Sequence, residues 1–158
     1  MTQTTSSAGV ALIKEFESCK LLAYADPKTG GDPWTVGWGA IGPGIGPGTI
    51  WTQERADARL MADIAVREGI VSAAVTHEMT QGQFDAFVSL VFNVGAGSPY
   101  KDGIVRLKNG QPSTLLRKFN AGDIGGCEAQ WLIWISPGSS VTKGLLRRRT
   151  AELALFRS

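Results

Sequence analysis

The chain has 158 residues and a formal net charge of +2, with 43% hydrophobic and 19% charged residues. This balance is typical of one folded domain of ordinary size and excludes a disordered or proline-rich chain. No apolar run approaches the ~18–20 residues needed to cross a bilayer. The first residues lack the basic and apolar regions of a secretory signal, so a protein made in the cytoplasm is expected.

The N-terminal third is predicted to form a helix followed by a small β-rich lobe. The helix is expected from Ser7 to Glu17, and the segment LLAYADP after it is expected to be extended up to a turn at Pro27. The segment WTVGWGAIG alternates β-branched or aromatic residues with glycine, which predicts a strand or hairpin arm. Eight of the 20 glycines lie between Gly30 and Gly48, which indicates long loops in this lobe.

The rest of the chain is predicted to be helical. A long helix is expected from an N-cap at Thr52 to about Val75, and the capping-box pair of Thr80 and Gln83 predicts the start of another. That second helix presents an apolar face and ends at Gly95. In chain order, the remaining predicted elements are an inserted loop or short hairpin at 97–112, a helix capped by Ser113 and stopped at Ala121-Gly122, a short helix carrying Trp131 and Trp134, and a last helix from about Lys143 to Phe156.

Together these elements predict an α+β fold that is mostly helical, with one small β element near the N-terminus. The single domain is expected to divide into a β-rich lobe at about 17–51, a connecting helix at 52–75, and a helical lobe formed by 7–16 and 76–158. The long helix would then link the small lobe to the larger one.

The charge is unevenly distributed along the chain. Residues 1–100 carry six basic and ten acidic side chains, whereas residues 101–158 carry ten basic and four acidic ones. The basic part favours an anionic partner such as nucleic acid, an anionic membrane surface or a bacterial envelope polymer. A solvated cationic face that aids solubility explains it equally well.

Few side chains suit metal binding or nucleophilic catalysis. Cys19 and Cys127 are the only cysteines, and neither lies in a motif with metal-ligand spacing. Two reduced thiols are expected, with one long-range disulfide as the alternative. His77 is the only histidine, so a Ser-His-Asp triad or a multi-histidine metal site lacks the residues it needs.

A pair of carboxylates is the strongest candidate for chemistry. Glu17 and Asp26 are separated by eight residues and flank the predicted transition from helix to strand, so they can converge on one cleft. Cleavage of a glycosidic bond needs such a pair, one to protonate the leaving oxygen and one to assist water or the sugar cation. The Thr35 hydroxyl can help to hold the water or the carboxylate. Spacing alone leaves open that both carboxylates are ordinary surface residues.

Five segments of the chain carry a family resemblance. They are ESCKLLAYAD at 17–26, TVGWG at 35–39, TQGQFDAFVSLVFNVG at 80–95, STLLRKFNAGD at 113–123 and GLLRRRTAEL at 144–153. In this order they resemble the motifs of the phage-type lysozymes, glycoside hydrolase family 24. Two departures stand out: eight residues separate Asp26 from Thr35 where the family has five, and Ser18 stands where the family usually has glycine.

The resemblance implies a lysozyme-like fold of two lobes with the cleft between them. It also implies an endolysin that hydrolyses the β-1,4 bond between N-acetylmuramic acid and N-acetylglucosamine in peptidoglycan, without a metal or a cofactor. Glu17 would be the general acid, and Asp26 would activate water or stabilise the developing cation. Thr35 would act as an orienting hydroxyl.

Further residues are implied to surround this catalytic set. Phe92, Asn93 and Thr114 match family positions that bind substrate, although Phe92 fits core packing equally well. The resemblance also suggests that one arginine of the run at 147–149 points back to the catalytic glutamate. Arg148 is the favoured one, because the leucines at 145 and 146 are expected to set the buried face. A purely solvated cationic face is the alternative.

Two other functions remain open at this point. A lytic transglycosylase would cleave the same bond with a glutamate alone, and a non-catalytic basic protein would bind the wall through residues 101–158. Nucleic-acid binding is not expected, because the basic residues lack a recognisable reading motif. The protein is expected to be a monomer that stays in the host cytoplasm until a holin opens the membrane, and then acts in the periplasm or cell wall on the glycan strand.

Overall fold

The computed structural model describes residues 2–136 and 138–158, and these form six α-helices and one two-stranded antiparallel sheet. The mostly helical α+β fold with a small hairpin is confirmed. The elements are α1 (Ser7–Glu17), β1 (Lys20–Tyr24), β2 (Thr35–Gly37), α2 (Gln53–Ala74), α3 (Gln81–Val94), α4 (Thr114–Asn120), α5 (Ile124–Trp131) and α6 (Thr142–Phe156). Among the described helices, none is long and apolar enough to span a bilayer.

Side-chain caps fix where the helices begin. The Thr80 hydroxyl accepts from the backbone N–H of Gln83, whose side chain accepts in return from the backbone of Thr80, so the predicted capping box is confirmed at α3. Ser113 caps α4 through the Leu116 N–H, also as predicted. Asp123 caps α5 in the same way, a cap that the sequence analysis missed.

The chain divides into two compact units. The small unit is Ile13–Val66, and the large unit combines the chain up to Leu12 with Arg67–Ser158. In the small unit, β1 and β2 form the hairpin, and a compact apolar core packs beneath it: Ala23, Val36, Ala40, Trp51 and Ala56.

The large unit is helical, and α3 runs through its core. Every residue from Phe84 to Val91 is buried, and α3 packs against α6 while α4 packs against α5. Aromatic rings join these helices: Phe87 contacts the rings of Phe119, Trp131 and Phe156 at centroid distances of 5.0 to 6.3 Å. Edge-on aromatic pairs of this kind add specificity to the apolar burial that holds the unit together.

One predicted detail differs in the structure, and one alternative left open by the sequence, loop or hairpin at 97–112, is decided for the loop. Trp134 lies beyond the last residue of α5, so only Trp131 is carried by that helix. The segment 97–112 is a loop with a single isolated bridge between Ser98 and Lys101, and it forms no hairpin. It is nevertheless ordered, because backbone N–H groups of Val105 and Arg106 both donate to the carbonyl of Ala96.

Candidate active site

Glu17 is the last residue of α1, and its carboxyl lies against the turn that follows β2. Gly39 follows β2 in that turn with φ +90°, and a Cβ added there would lie 3.0 Å from Glu17 Oε2. No side chain fits between the Gly39 backbone and the carboxyl without displacing one of them. The fold therefore places Gly39, the second glycine of the TVGWG segment, next to the carboxyl of Glu17, the predicted general acid.

The residue after Glu17 turns the chain out of α1. Ser18 has φ +56°, the left-handed conformation that glycine favours, and its N–H donates to the carbonyl of Lys14. The serine thus keeps the backbone path that a glycine would take at this position. Serine in place of the family's usual glycine therefore makes this backbone turn less favourable in free energy, but it does not change the direction of the chain.

Asp26 organises the turn between the two strands. Its Oδ1 accepts from the Lys28 N–H at 2.8 Å, its backbone N–H donates to Gly31, and its carbonyl accepts from Thr29 and Gly30. This closed turn takes up the extra residues between Asp26 and Thr35. The side chain of Asp26 remains half-buried at the edge of the hairpin.

Thr35 is the first residue of β2 and lies opposite Tyr24, two residues before Asp26. Directly paired residues of antiparallel strands point to the same face, so Thr35 shares a face with Tyr24. At the other end of the strand pair, Lys20 lies opposite Gly37. Lys20 is four residues from Tyr24 along β1, whereas Gly37 is only two residues from Thr35 along β2, so β1 contains a bulge between Lys20 and Tyr24. The register thus places Thr35 near Asp26 in the hairpin, whereas Glu17 precedes β1 and lies against Gly39 after β2.

A polar cluster supports the same hairpin. Trp38 Nε1 donates to Asp57 Oδ1 at 2.7 Å, and the Gln53 amide donates to the same oxygen. These hydrogen bonds lower the pKa of Asp57, burial opposes them, and the nearby Lys14 cation adds to the lowering. Trp51 is 5% exposed and packs in the apolar core of the small unit.

The predicted substrate-binding residues lie in the large unit. Phe92 is half-buried with the Arg67 guanidinium 5.0 Å from its ring centre. Asn93 Oδ1 accepts from Arg149 Nη2 at 2.8 Å and lines a cavity, whereas Thr114 lines a second depression and accepts from Arg117. The two residues therefore border different concave surfaces.

Arg148 belongs to a buried polar cluster in the large unit. Arg148 and Arg149 are 3% and 0% exposed and both form ion pairs with the fully buried Glu152, at 3.5 and 2.7 Å. Glu152 also accepts from Ser89 and from Trp131 Nε1. Burial raises the pKa of Glu152, while Arg149 and Arg148 act against that increase.

The expectation that the leucines at 145 and 146 set the buried face of α6 is wrong. Leu146 is 42% exposed and Leu145 is half-buried, so the leucines do not set the buried face of α6. That face is formed by the two arginines with Glu152, Leu153 and Phe156. The sequence analysis missed Arg149 and Glu152, although an acid three and four positions after two arginines is the spacing of a helical ion pair.

Metal and thiol chemistry find little support in the part of the chain that the structure describes. It contains no group of three or more His, Cys, Asp or Glu side chains that could hold a metal ion. Cys19 and Cys127 are both free thiols. Burial raises the pKa of Cys127 to about 12, so this thiol stays protonated near neutral pH.

Comparisons with known proteins match nearly the whole chain. The profile of the phage lysozyme family matches residues 14–152. An endolysin from Acyrthosiphon pisum secondary endosymbiont phage 1 is 35% identical over 157 residues, which are 97% of this chain and 97% of that one. A SAR-endolysin from Enterobacteria phage P21 is 34% identical over 119 residues, which are 75% of this chain and 66% of that one.

The match extends to solved structures. The muramidase domain of SpmX from Asticaccaulis excentricus has a TM-score of 0.79 and 31% sequence identity over 99% of both chains. The chain spans only 53 to 59% of the length of four further phage endolysins to which it is 35 or 36% identical. The segment matched by the family profile includes every candidate site residue described above.

Proposed function

The chain belongs to the phage lysozyme family, and we propose that it is an endolysin that hydrolyses the β-1,4 bond between N-acetylmuramic acid and N-acetylglucosamine in peptidoglycan. The observation that carries the proposal is the hairpin of the small unit. It holds Glu17 against Gly39 at one end and brings Thr35 to the strand position opposite Tyr24, two residues from Asp26, at the other. The small unit thus carries two carboxyl groups and a hydroxyl, the groups that the proposed glycoside hydrolysis needs.

In the proposed reaction, Glu17 donates a proton to the leaving glycosidic oxygen. Asp26 activates the attacking water or stabilises the positive charge that develops on the sugar ring, and Thr35 orients that water or the carboxylate. The hydrogen bond from the Lys28 N–H to Asp26 Oδ1 supports this role, because it restrains the carboxylate before substrate arrives.

Substrate binding is proposed to involve Phe92, Asn93 and Thr114 in the large unit. Asn93 is the best supported of the three, because Arg149 fixes its amide and it lines a cavity. Arg148 is proposed as a supporting residue, since it holds Ser89 and Glu152 of the buried cluster and so stabilises α3, the helix that carries Phe92 and Asn93.

Replacement of Glu17 by Gln tests the assignment of the acid. The amide keeps the shape of the side chain but has no acidic proton to transfer to the leaving oxygen, so clearing of a suspension of bacterial walls should be abolished while the Tm is unchanged. Glu15→Gln is the matched control, because Glu15 is an exposed residue of the same helix. Full activity of Glu17→Gln would rule out the proposed mechanism.

The products distinguish hydrolysis from transglycosylation. Hydrolysis leaves a reducing sugar end on each released muropeptide, whereas a lytic transglycosylase leaves a 1,6-anhydro end. Membership of the phage lysozyme family does not favour a lytic transglycosylase, and it does not favour a non-catalytic wall-binding protein. Mass spectrometry of fragments from isolated sacculi should therefore show reducing ends, and anhydro ends would refute the hydrolytic proposal.

The route to the wall is proposed to depend on a holin, with the enzyme acting as a monomer. Cells that express the protein alone should stay intact until their membrane is permeabilised, and then lyse within minutes. Lysis without permeabilisation would show that the protein crosses the membrane by itself. Sedimentation of the purified protein should give the mass of one chain.

A further inference from the structure

The turn that follows β2 is short and closed at its base. Val36 and Ala40 donate their backbone N–H groups to each other's carbonyls, at 3.0 and 2.9 Å. Gly37 and Gly39, which lie between them, have φ +65° and +90°, the left-handed region that glycine enters without strain. Trp38 stands between these two glycines, so its side chain is the one by which this turn can be fixed to other elements.

The side chain of Trp38 is held by helix α2. The indole Nε1 donates to Asp57 Oδ1 at 2.7 Å, and the amide of Gln53 donates to the same oxygen at 2.9 Å. Gln53 and Asp57 are four residues apart on α2, so they face each other and the carboxylate is fixed on its helix. A hydrogen bond to a carboxylate is stronger than one between neutral groups, so this contact ties the turn firmly to α2.

The ring of Trp38 is already in use within the protein. The Lys14 ammonium lies over the ring, 5.3 Å from its centre, and the half-buried indole packs against the apolar core of the small unit. A sugar that stacked on this ring would have to displace one of these contacts. The indole therefore serves as an anchor for its turn rather than as a stacking surface for a sugar.

The residues that hold the indole also surround the predicted acid. Lys14 lies three residues before Glu17 on α1, and Gln53 Nε2 lies 3.7 Å from the Sγ of Cys19, two residues after Glu17. Gly39 follows the anchored indole, and a Cβ added there would lie 3.0 Å from Glu17 Oε2. Because the turn is short and closed, a shift of the indole must also move Gly39, against which the carboxyl lies.

We propose that Asp57 is a positioning residue, which acts through Trp38 to hold Gly39 against the carboxyl of Glu17. The proposal rests on the proposed function, since it takes Glu17 as the acid of that reaction. Asp57 would set the place of the acid and make no contact with the glycan. Its loss should therefore lower kcat and leave KM unchanged.

Two substitutions of Asp57 separate its hydrogen bond from its charge. Asp57→Ala removes the acceptor and should lower kcat on isolated sacculi roughly five- to tenfold, if 1 Å of misplacement costs about a hundredfold. Asp57→Asn keeps an oxygen that can accept from the indole, so it should recover most of the rate. Glu54→Ala is the matched control, because it removes an exposed acid from the first turn of the same helix, and it should keep the rate of the unchanged protein.

Removal of the indole donor tests the route through Trp38. Trp38→Phe keeps an aromatic ring but has no N–H, so it should also lower kcat. The double variant Trp38→Phe with Asp57→Ala should be no slower than the slower single variant, since both substitutions break the same hydrogen bond. Losses that multiply in the double variant would overturn the route through Trp38.

The kinetic results can each overturn the proposal. Equal rates for Asp57→Ala and Glu54→Ala would show that Asp57 does not position the acid. Equal losses for Asp57→Ala and Asp57→Asn would show that the charge acts and not the hydrogen bond. A raised KM with unchanged kcat would assign Asp57 to substrate binding and also contradict the positioning role.

NMR spectroscopy of the intact protein gives a result that needs no turnover. The backbone amide signal of Gly39 and the indole N–H signal of Trp38 should shift in Asp57→Ala and stay in place in Glu54→Ala. An unchanged Gly39 signal in Asp57→Ala would overturn the positioning role even in an active muramidase. If the unchanged protein releases no sugar ends from sacculi, the proposed function fails, whereas a shifted Gly39 signal still supports the hold of Asp57 on the turn.

Discussion

Replacement of Gly39 by Ala should separate the stability of the hairpin from the position of its acid. Gly39 has φ +90°, and the added methyl would lie 3.0 Å from Glu17 Oε2, closer than the 3.4 Å at which ordinary contacts begin. Gly44 has φ +82° with no atom within 4 Å of the added methyl. Both alanines should cost about 1–2 kcal/mol of folding free energy for the left-handed backbone.

Only the methyl at Gly39 should affect catalysis. It must move the Glu17 carboxyl by a few tenths of an ångström. If 1 Å of misplacement costs about a hundredfold in rate, this shift costs roughly five- to tenfold. Wall-clearing rates well below the Tm, measured beside urea unfolding, give both quantities. Equal activity of Gly39→Ala and Gly44→Ala, at similar losses of stability, would refute the claim that the Gly39 contact positions Glu17.

Four further predictions concern Ser18, Cys127 and Glu152. Ser18→Gly should raise the free energy of unfolding by up to about 1 kcal/mol, because glycine adopts φ +56° without strain; an unchanged urea midpoint would contradict this. Because burial raises the pKa of Cys127 to about 12, Ellman's reagent at pH 8 should modify Cys19 alone in the native protein, and unfolding should release the second thiol. Because of the same shift, the Cys127 thiol loses its proton at lower pH in the unfolded chain than in the folded protein. The free energy of unfolding should therefore fall as pH rises from about 8.5 towards 12. Cys127→Ser should reduce this dependence on pH. Glu152→Gln should cost about 3–5 kcal/mol in urea unfolding, because it removes a buried carboxylate that pairs with two buried arginines, and a loss below 1 kcal/mol would show that the cluster is not held by this carboxylate.

The helices could be predicted because their ends are encoded locally. Thr80 and Ser113 each lie three residues before the N–H that they cap, a spacing that can be recognised without a structure. The start of α5 was less clear, because its first residues after Asp123 include two glycines and offer little apolar periodicity. Local chemistry thus determines most of the secondary structure of this chain.

The buried cluster of α6 could not be predicted in the same way. A run of three arginines is usually solvated, and its placement depends on Ser89 and Trp131, which are distant in sequence. Burial of Arg149 is stabilised by Glu152 and Asn93, which both accept from it. The closeness of Gly39 to Glu17 depends likewise on the hairpin register, which the residue spacing from Asp26 to Thr35 left undefined.

Trp51 and Trp131, which lie in the cores of the two units, can serve as intrinsic fluorescence probes. Trp51 is enclosed by the apolar core of the small unit with the Arg55 guanidinium 4.7 Å from its ring, whereas Trp131 is buried in the large unit beside the Glu152 carboxylate. Indole emission depends on nearby charge and on water access, so the two residues should fluoresce with different wavelengths and yields. Single Trp→Phe variants would then assign each part of an unfolding trace to one unit, without any attached dye.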